Sequence, residues 1–436
     1  MKQRRHFFYF LWFLCSAIPV VASEQTIWTE KNLPGLVELY RHLHAHPELS
    51  FQEQATSARL AAEFEALGAK VTRNVGGHGV VALLKNGPGP TVMMRTDMDA
   101  LPIIEETDLP YASKVRAKDR EGIKVGVMHA CGHDIHMASL VGVARYLIAH
   151  KHAWRGTAMF IAQPAEEYGA GAKAMLDDGL FERFPKPDYA LAMHVDPHLA
   201  TGKVGYRAGY AFANVDTVHI TIIGRGGHGA HPHKTIDPIV QAAKLVLDLQ
   251  TIVSREIKPT DPAVITVGSL HCGTKSNIIG DRCDLQITVR SYSKEVRSHL
   301  LEAIGRKAKA IAMGAKAPEP KIDTDQGTPS LFNDEALVRR MLPVFQRVVG
   351  VENVQLAEPI MGGEDFSRYG HDAGVPIFLW RVGALTLQRL AAWKSKNRPA
   401  PSLHSPHFYP DAKETLEVSV MIMVSAALEI LQSEHQ

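Results

Sequence analysis

Two short stretches of this 436-residue chain concentrate the side chains that bind metals and move protons. His129-Ala-Cys-Gly-His-Asp-Ile-His136 brings one thiol, Cys131, together with three imidazoles, and Glu166-Glu167 sets two carboxylates side by side. Two more acids, Asp97 and Asp99, and another imidazole, His194, each follow a short apolar run. Thiolate, imidazole and carboxylate together suit zinc best, with manganese or cobalt as alternatives. A divalent ion lowers the pKa of a water it holds, so that a nearby glutamate can take the proton near neutral pH. Neighbours beyond a strand end point different ways, so one glutamate of the pair can bind metal while the other faces the reacting water. The plain alternatives are a polar loop capping a helix for the histidine segment and a solvated acidic turn for the glutamates. Gln163-Pro164-Ala165 before the pair and Gly169-Ala170-Gly171 after it constrain that turn more than a surface turn requires. The high histidine count, 22, also points to a metal or acid–base site.

Such residues need elements that bring them together. Apolar runs at 91–94, 157–162 and 189–193 read as strands, leading into Asp97 and Asp99, into Glu166 and Glu167, and into His194. In open α/β sheets, ligands bind beyond the carboxyl ends of the strands. Residues 33–67 have helical spacing broken at Pro47, residues 80–84 read as a strand, and residues 135–149 and 172–176 as helices. Cys131 and His133 then precede a helix N-terminus, which favours a thiolate. Strands alternating with helices indicate an α/β unit with its sheet covered on both faces. After about Phe212 the pattern becomes strand 216–223, helix 238–253, strands 263–271 and 283–291, and helix 294–313, the beginning of a split βαβ sandwich that ends near 317–320. A helix, a strand at 376–380 and a long helix at 416–431 follow. The expected fold is a catalytic α/β domain with a mixed sheet (23–212 and 325–436), interrupted by a smaller α+β ferredoxin-like domain (213–324).

With 45% apolar and 22% charged residues, the composition excludes disorder, collagen and coiled coil. The 48 basic and 46 acidic residues leave no basic surface that would demand nucleic acid. Lys2, Arg4 and Arg5, an apolar run over 7–21 and small residues before Ser23 describe a signal peptide over residues 1–22. The alternative, a membrane anchor, needs about 20 apolar residues. Cys15 lies inside the apolar run behind Phe13 and Leu14, which makes a poor lipidation site, and no second segment is apolar enough to span. The expected location is therefore periplasmic or secreted, where thiols oxidise. Cys131, Cys272 and Cys283 remain after cleavage, so at least one sulfur is unpaired. Cys272 either bridges to Cys283 or is a small buried residue.

Seven ordered motifs resemble the M20 metallopeptidases, most of all the branch with hippurate hydrolases, N-acyl-amino-acid amidohydrolases and auxin–amino-acid conjugate hydrolases. They are RTDMDALP (95–102), MHACGHDIH (128–136), QPAEEYGAG (163–171), GRGGHGAHPH (224–233), GTKSNIIG (273–280), GGEDFS (362–367) and HSPHF (404–408). The resemblance spans about residues 33–432 and implies two divalent ions per subunit. Cys131 would bridge them, with His133, Glu167, His194 and His404 as the other ligands. Glu166 would be the general base, and Asp99 would orient a ligating imidazole. The inserted domain resembles the family's lid, which pairs two subunits. His228 would then reach the partner's site and polarise the scissile carbonyl, while Asn277 and Arg290 would hold the substrate's amide and carboxylate. Tyr168 stands where a small residue is common, Asn277-Ile278-Ile279-Gly280 departs from the usual Asn-Val-Ile-Pro, and His407 competes with His404 by proximity.

Read without the resemblance, His228 and His231 fit a flexible polar loop, and Arg290 could simply pair with a surface acid. His42, His44 and His46 serve the first helix, and Glu364 and Asp365 either support the site or cap a helix. The expected activity is hydrolysis of N-acyl amino acids. A metallo-carboxypeptidase or dipeptidase is the alternative within the class, and a non-catalytic peptide- or metal-binding protein the alternative outside it.

Overall fold

The structure is a computed structural model that describes residues 19–432, with side chains from Glu24 onward. The expected signal peptide and Cys15 thus lie outside the described residues, apart from the first backbone positions of helix α1. The chain begins with α1 (Pro19–Ala45), α2 (Gln54–Ala66) and strands β1 (Lys70–Val75), β2 (Gly79–Asn86) and β3 (Thr91–Asp97). A small hairpin, β4 (Arg116–Lys118) and β5 (Lys124–Gly126), precedes α3 (His133–Ala149), β6 (Gly156–Gln163), α4 (Gly171–Asp177), α5 (Leu180–Arg183) and β7 (Tyr189–Ala200). Next come β8 (Val204–Tyr206), β9 (Gly209–Phe212), β10 (Asn214–Ile223), β11 (Gly227–His228), α6 (Pro238–Thr251) and β12 (Ala263–Cys272). After β13 (Ile278–Ile279) come β14 (Arg282–Ser291), α7 (Lys294–Gly314), β15 (Lys321–Gln326) and β16 (Leu331–Asn333). The chain closes with α8 (Glu335–Val349), β17 (Val354–Leu356), α9 (Ser367–His371), β18 (Ile377–Leu385), α10 (Leu387–Ser395) and α11 (Ala412–Leu431).

Eight strands form one mixed sheet in the order β1-β2-β6-β3-β7-β18-β8-β17. Its centre, β6-β3-β7-β18, is parallel, so these strands end at a common edge. Strands such as β3 and β6 are buried almost throughout, as a sheet covered on both faces requires. One face packs on α1, α3, α8 and α11 through residues such as Leu36, Leu140, Phe345 and Val420. The other packs on Met175, Phe366 and Tyr369. Strand β7 runs past the expected end at Met193 to Ala200, paired with β18 from Ala190 to Asp196 and again at Ala200, so His194 lies within a strand rather than after one.

Four further strands form a separate antiparallel sheet in the order β12-β14-β10-β15. Its residues alternate between buried and exposed along β10 and β14, and α6 and α7 cover the buried face around Ile220, Leu245, Ile287 and Leu300. The succession β10-α6-β12-β14-α7-β15 completes the split βαβ pattern. The expected boundary after residue 324 falls inside β15, which runs to Gln326. Cys272 stands opposite Cys283 in the β12–β14 register and is disulfide-bonded to it, which overturns the reading of Cys272 as a lone buried residue. Among the described residues, no helix is long and apolar enough to cross a membrane.

Candidate active site

The parallel strands deliver their carboxyl-end residues to one place. Asp99 follows β3, Glu166 and Glu167 follow β6, and His194 projects from β7. Cys131 arrives from the segment before α3, whose first residue is His133 and whose preceding Gly132 has a left-handed φ of 80°. A side chain at Gly132 would strike Val195 Cγ2 at 2.6 Å, so the loop can pass this close to β7 only as glycine. His404 comes from far along the chain; its N–H donates to Ala130 O at 2.9 Å, which seats it beside Cys131.

Donor atoms of Cys131, His133 and His194 lie within 4.8 Å of one another, and so do those of Cys131, Glu167 and His404. The sulfur is common to both triads, as expected of a group between two cations. Hydrogen bonds fix which imidazole nitrogens are free. His133 Nδ1 donates to Asp99 O at 2.8 Å, and His194 Nδ1 to Val195 O at 2.8 Å. Each ring therefore turns its Nε2 into the cluster as the atom available to a metal, and His194 Nε2 lies 3.5 Å from Cys131 Sγ. His136 is excluded from that set, because Nδ1 donates to Asp97 at 2.7 Å and Nε2 accepts Val195 N–H at 3.0 Å. His407 turns instead to Glu106 O, so His404 is the ligand candidate of that pair.

Buried polar atoms left without partners test whether cations fit here. His133 Nε2 and Glu167 Oε1 are buried and make no hydrogen bond. Such atoms cost free energy unless something binds them, and a soft–hard donor set of thiol, imidazole and carboxylate fits divalent metal. The charges agree. Burial, with Glu167 and Glu166 beside it, pushes the Cys131 thiol well up, so the α3 N-terminus alone does not produce the expected thiolate. Burial opposes charge on His133, yet Asp97 and Asp99 outweigh it and raise it to about 10. Burial and the neighbouring Glu364, Glu167 and Asp365 push Glu166 well above the carboxylate range. A thiol and an acid held protonated among carboxylates form a cluster built for added positive charge.

Asp99 shapes the glutamate turn directly. Its two carboxylate oxygens accept the N–H groups of Glu166 and Glu167 at 3.1 and 3.0 Å, and Ser50 Oγ donates to it at 2.6 Å. Behind it, the buried Arg95 joins Asp97, Glu364 and Asp365 at 2.7–3.0 Å. Asp365 also accepts from Gln163 and from Ala172 N–H, tying α4 to the end of β6.

The cluster floors a cavity of about 750 Å³. Glu166, Cys131, His194 and His404 line it, together with Arg290 from β14 and apolar walls from Phe212, Val264 and Ile360. The match to the description "Peptidase family M20/M25/M40" covers residues 93–426. The chain belongs to that family. It is 38% identical over 338 residues to the hippurate hydrolase of Campylobacter jejuni, covering 77% of this chain and 85% of that protein. To the thermostable carboxypeptidase 1 of Saccharolobus solfataricus it is 36% identical over 340 residues, covering 77% and 82%. Among solved structures, the Bacillus subtilis YXEP protein, described as a dinuclear metal binding peptidase from the M20 family, superposes with a TM-score of 0.76. That pair is 31% identical, over 93% of this chain and 99% of the other. The protein is thus a metal-dependent amidohydrolase or peptidase, and the non-catalytic alternative falls away.

Of the residues singled out from M20 motifs, the structure brings together Cys131, His133, Glu166, Glu167, His194 and His404, with Asp99 beneath them and Arg290 across the cavity. It does not bring in His228 and Asn277. They lie on the exposed ribbon β11–β13, where Gly229 N–H donates to Asn277 O and Ala230 N–H to His228 Nδ1. Tyr168 does line the cavity, with the Arg120 guanidinium 4.9 Å from its ring centre. Sequence reasoning missed two contributors, Arg95 and Arg381. Arg381 lines the cavity and reaches Asp196 at 3.5 Å. Its place there depends on which way β18 faces, and no motif or spacing marks that.

Proposed function

We propose that this protein is an exported dinuclear amidohydrolase that cleaves N-acyl amino acids, with Zn²⁺ as its resident metal. Arg290 carries the reading of the substrate. Its guanidinium forms no ion pair among the described residues, donates through Nε only to Thr288 Oγ1 at 3.1 Å, and lines the same cavity as the donor cluster. A planar cation left free there suits a substrate with a free carboxylate. Two ions held by Cys131, His133, Glu167, His194 and His404 would supply Lewis acidity to the scissile carbonyl and lower the pKa of the attacking water. Glu166 takes the proton of that water and returns it to the leaving nitrogen. Asp99 keeps Glu166 and Glu167 aimed into the cleft. The apolar walls receive the acyl group, and Tyr168 narrows the mouth.

His228 completes the site in this reading only from a second subunit, polarising the carbonyl across a dimer formed through the four-stranded sheet, with Asn277 holding the amide. Export is supported by the basic stub and apolar run at the N-terminus and by the Cys272–Cys283 bond, which persists in oxidising compartments. A metallo-carboxypeptidase or dipeptidase is the second reading; the Saccharolobus relative favours it, and it would use the same groups.

The test is a substrate panel on protein loaded separately with Zn²⁺, Mn²⁺ and Co²⁺. Hippurate and other N-acyl amino acids should turn over faster than peptides, and Arg290→Ala should raise KM for acids but not for the matching amides. Faster release of C-terminal residues from peptides would move the assignment to the second reading, and no hydrolysis of either class would defeat both.

A further inference from the structure

The chain enters the four-stranded sheet from β9 at Ala213 and leaves it for β16 at 327–330, and Val215 N–H donates to Thr328 O at 2.9 Å to bind the two crossings together. Val215 and Thr328 line the catalytic cleft, whereas the adjacent Asn214 and nearby Gln326 line a second cavity of about 650 Å³. Successive strand residues face opposite sides, so the crossings form a partition with one cavity on each side.

The second cavity has its own chemistry. Tyr210 stacks on Tyr292 with ring centres 5.8 Å apart and meets Phe332 edge-on at 5.0 Å. Phe332 is 46% exposed. Ser367 lines the cavity, is only 1% exposed, and its buried Oγ finds no hydrogen-bond partner. Most charges around it are already used. Arg297 pairs with Asp216 through two bonds, and Asp334 caps α8 by accepting Leu337 N–H. Lys294 lines the cavity, is exposed, and forms no ion pair among the described residues. An aromatic wall, a spare ammonium and an unsatisfied buried hydroxyl call for a flat apolar body bearing an anionic acceptor.

We propose that this cavity binds a small aromatic carboxylate, its ring against Tyr210, Tyr292 and Phe332 and its carboxylate toward Lys294. The site stands independently of the reaction assigned above.

The probe is 4-fluorobenzoate, followed by its ¹⁹F resonance on the metal-loaded Glu166→Gln protein, where substrate can occupy the cleft without turnover. Excess N-acetylmethionine, an acyl amino acid without an aromatic ring, should displace one part of the bound probe and leave another. The part left should weaken about tenfold with added Lys294→Gln or Phe332→Leu, as loss of a charge-assisted or stacking contact implies, and Lys294→Arg should restore it. Complete displacement by N-acetylmethionine, or a residual signal indifferent to these substitutions, would overturn the site. If N-acetylmethionine displaces nothing, the reading of the cleft is at fault, while the Lys294 dependence still decides this proposal.

Discussion

Asp99 shows how much of the site hangs on one side chain. Each of its oxygens accepts a backbone N–H of the glutamate pair, so an amide in its place must turn an NH₂ group toward one of those donors. Asp99→Asn is therefore expected to weaken metal binding about 10–100-fold, the usual cost of losing a group that orients ligands. Equilibrium dialysis measures this; an unchanged affinity would show that the turn holds itself. Glu166→Gln should leave ion content intact and lower turnover about 10²–10⁴-fold, the range for a lost general base. Loss of ions from that variant would make Glu166 a ligand instead. The donors themselves were legible because thiol, imidazole and carboxylate pairs rarely cluster in sequence without a purpose. The choice among histidines was less so. His136 drops out because both of its ring nitrogens are already bonded, to partners 39 and 59 residues away, which no spacing rule reveals.

At the scale of elements, the N-terminus of α3 carries Cys131 and His133 and must be held still. His44, near the end of α1, does this by bonding Asp134 at 2.7 Å and Glu105 at 3.0 Å, all three side chains fully buried. Burial works against its charge, but the two carboxylates prevail and raise its pKa from 6.5 to about 9. A raised pKa in the folded state stabilises fully below pH 6.5, and the contribution fades as pH climbs through 9. The shift corresponds to about 3 kcal/mol. Urea unfolding of metal-free native protein and His44→Gln should thus differ most at about pH 6 and converge above about pH 9; a gap independent of pH would mean that His44 acts by shape alone. Most elements were readable from periodicity, since the buried strands and helices carry regular apolar spacing. Strand β15 was not, because Lys321-Ile-Asp-Thr-Asp-Gln326 lies at a sheet edge, mostly exposed, and has almost no apolar alternation to detect. The end of β7 was hidden for a related reason: Asp196-Pro197-His198 looks like a loop, and the pairing with β18 does break after Asp196, but it resumes at Ala200 opposite Leu385.

Over the whole molecule, the chain supplies the floor of a catalytic cleft and one wall from the four-stranded sheet, while His228 and Asn277 remain exposed. Their distance from the cleft makes a trans arrangement testable. Mixing inactive His228→Ala with inactive Glu166→Gln in equal amounts under subunit exchange should return about a quarter of native activity overall, because about half of the dimers are then mixed and one of their two sites has both groups. No recovery, in a preparation shown to contain mixed dimers, would place His228 outside the reaction. The fold class was accessible from sequence because layered α/β order is written in element succession. The exposure of the two ribbon residues was not, since nothing in the motifs that contain them says which way the ribbon faces.

Two cations sharing the Cys131 sulfur would be the feature on which the rest of the site turns. Cobalt titration of the metal-free protein measures it most directly. Two equivalents are expected to bind per chain, with sulfur-to-cobalt charge-transfer absorption in the near ultraviolet that Cys131→Ser abolishes. A single equivalent, or a spectrum that Cys131→Ser leaves unchanged, would contradict it.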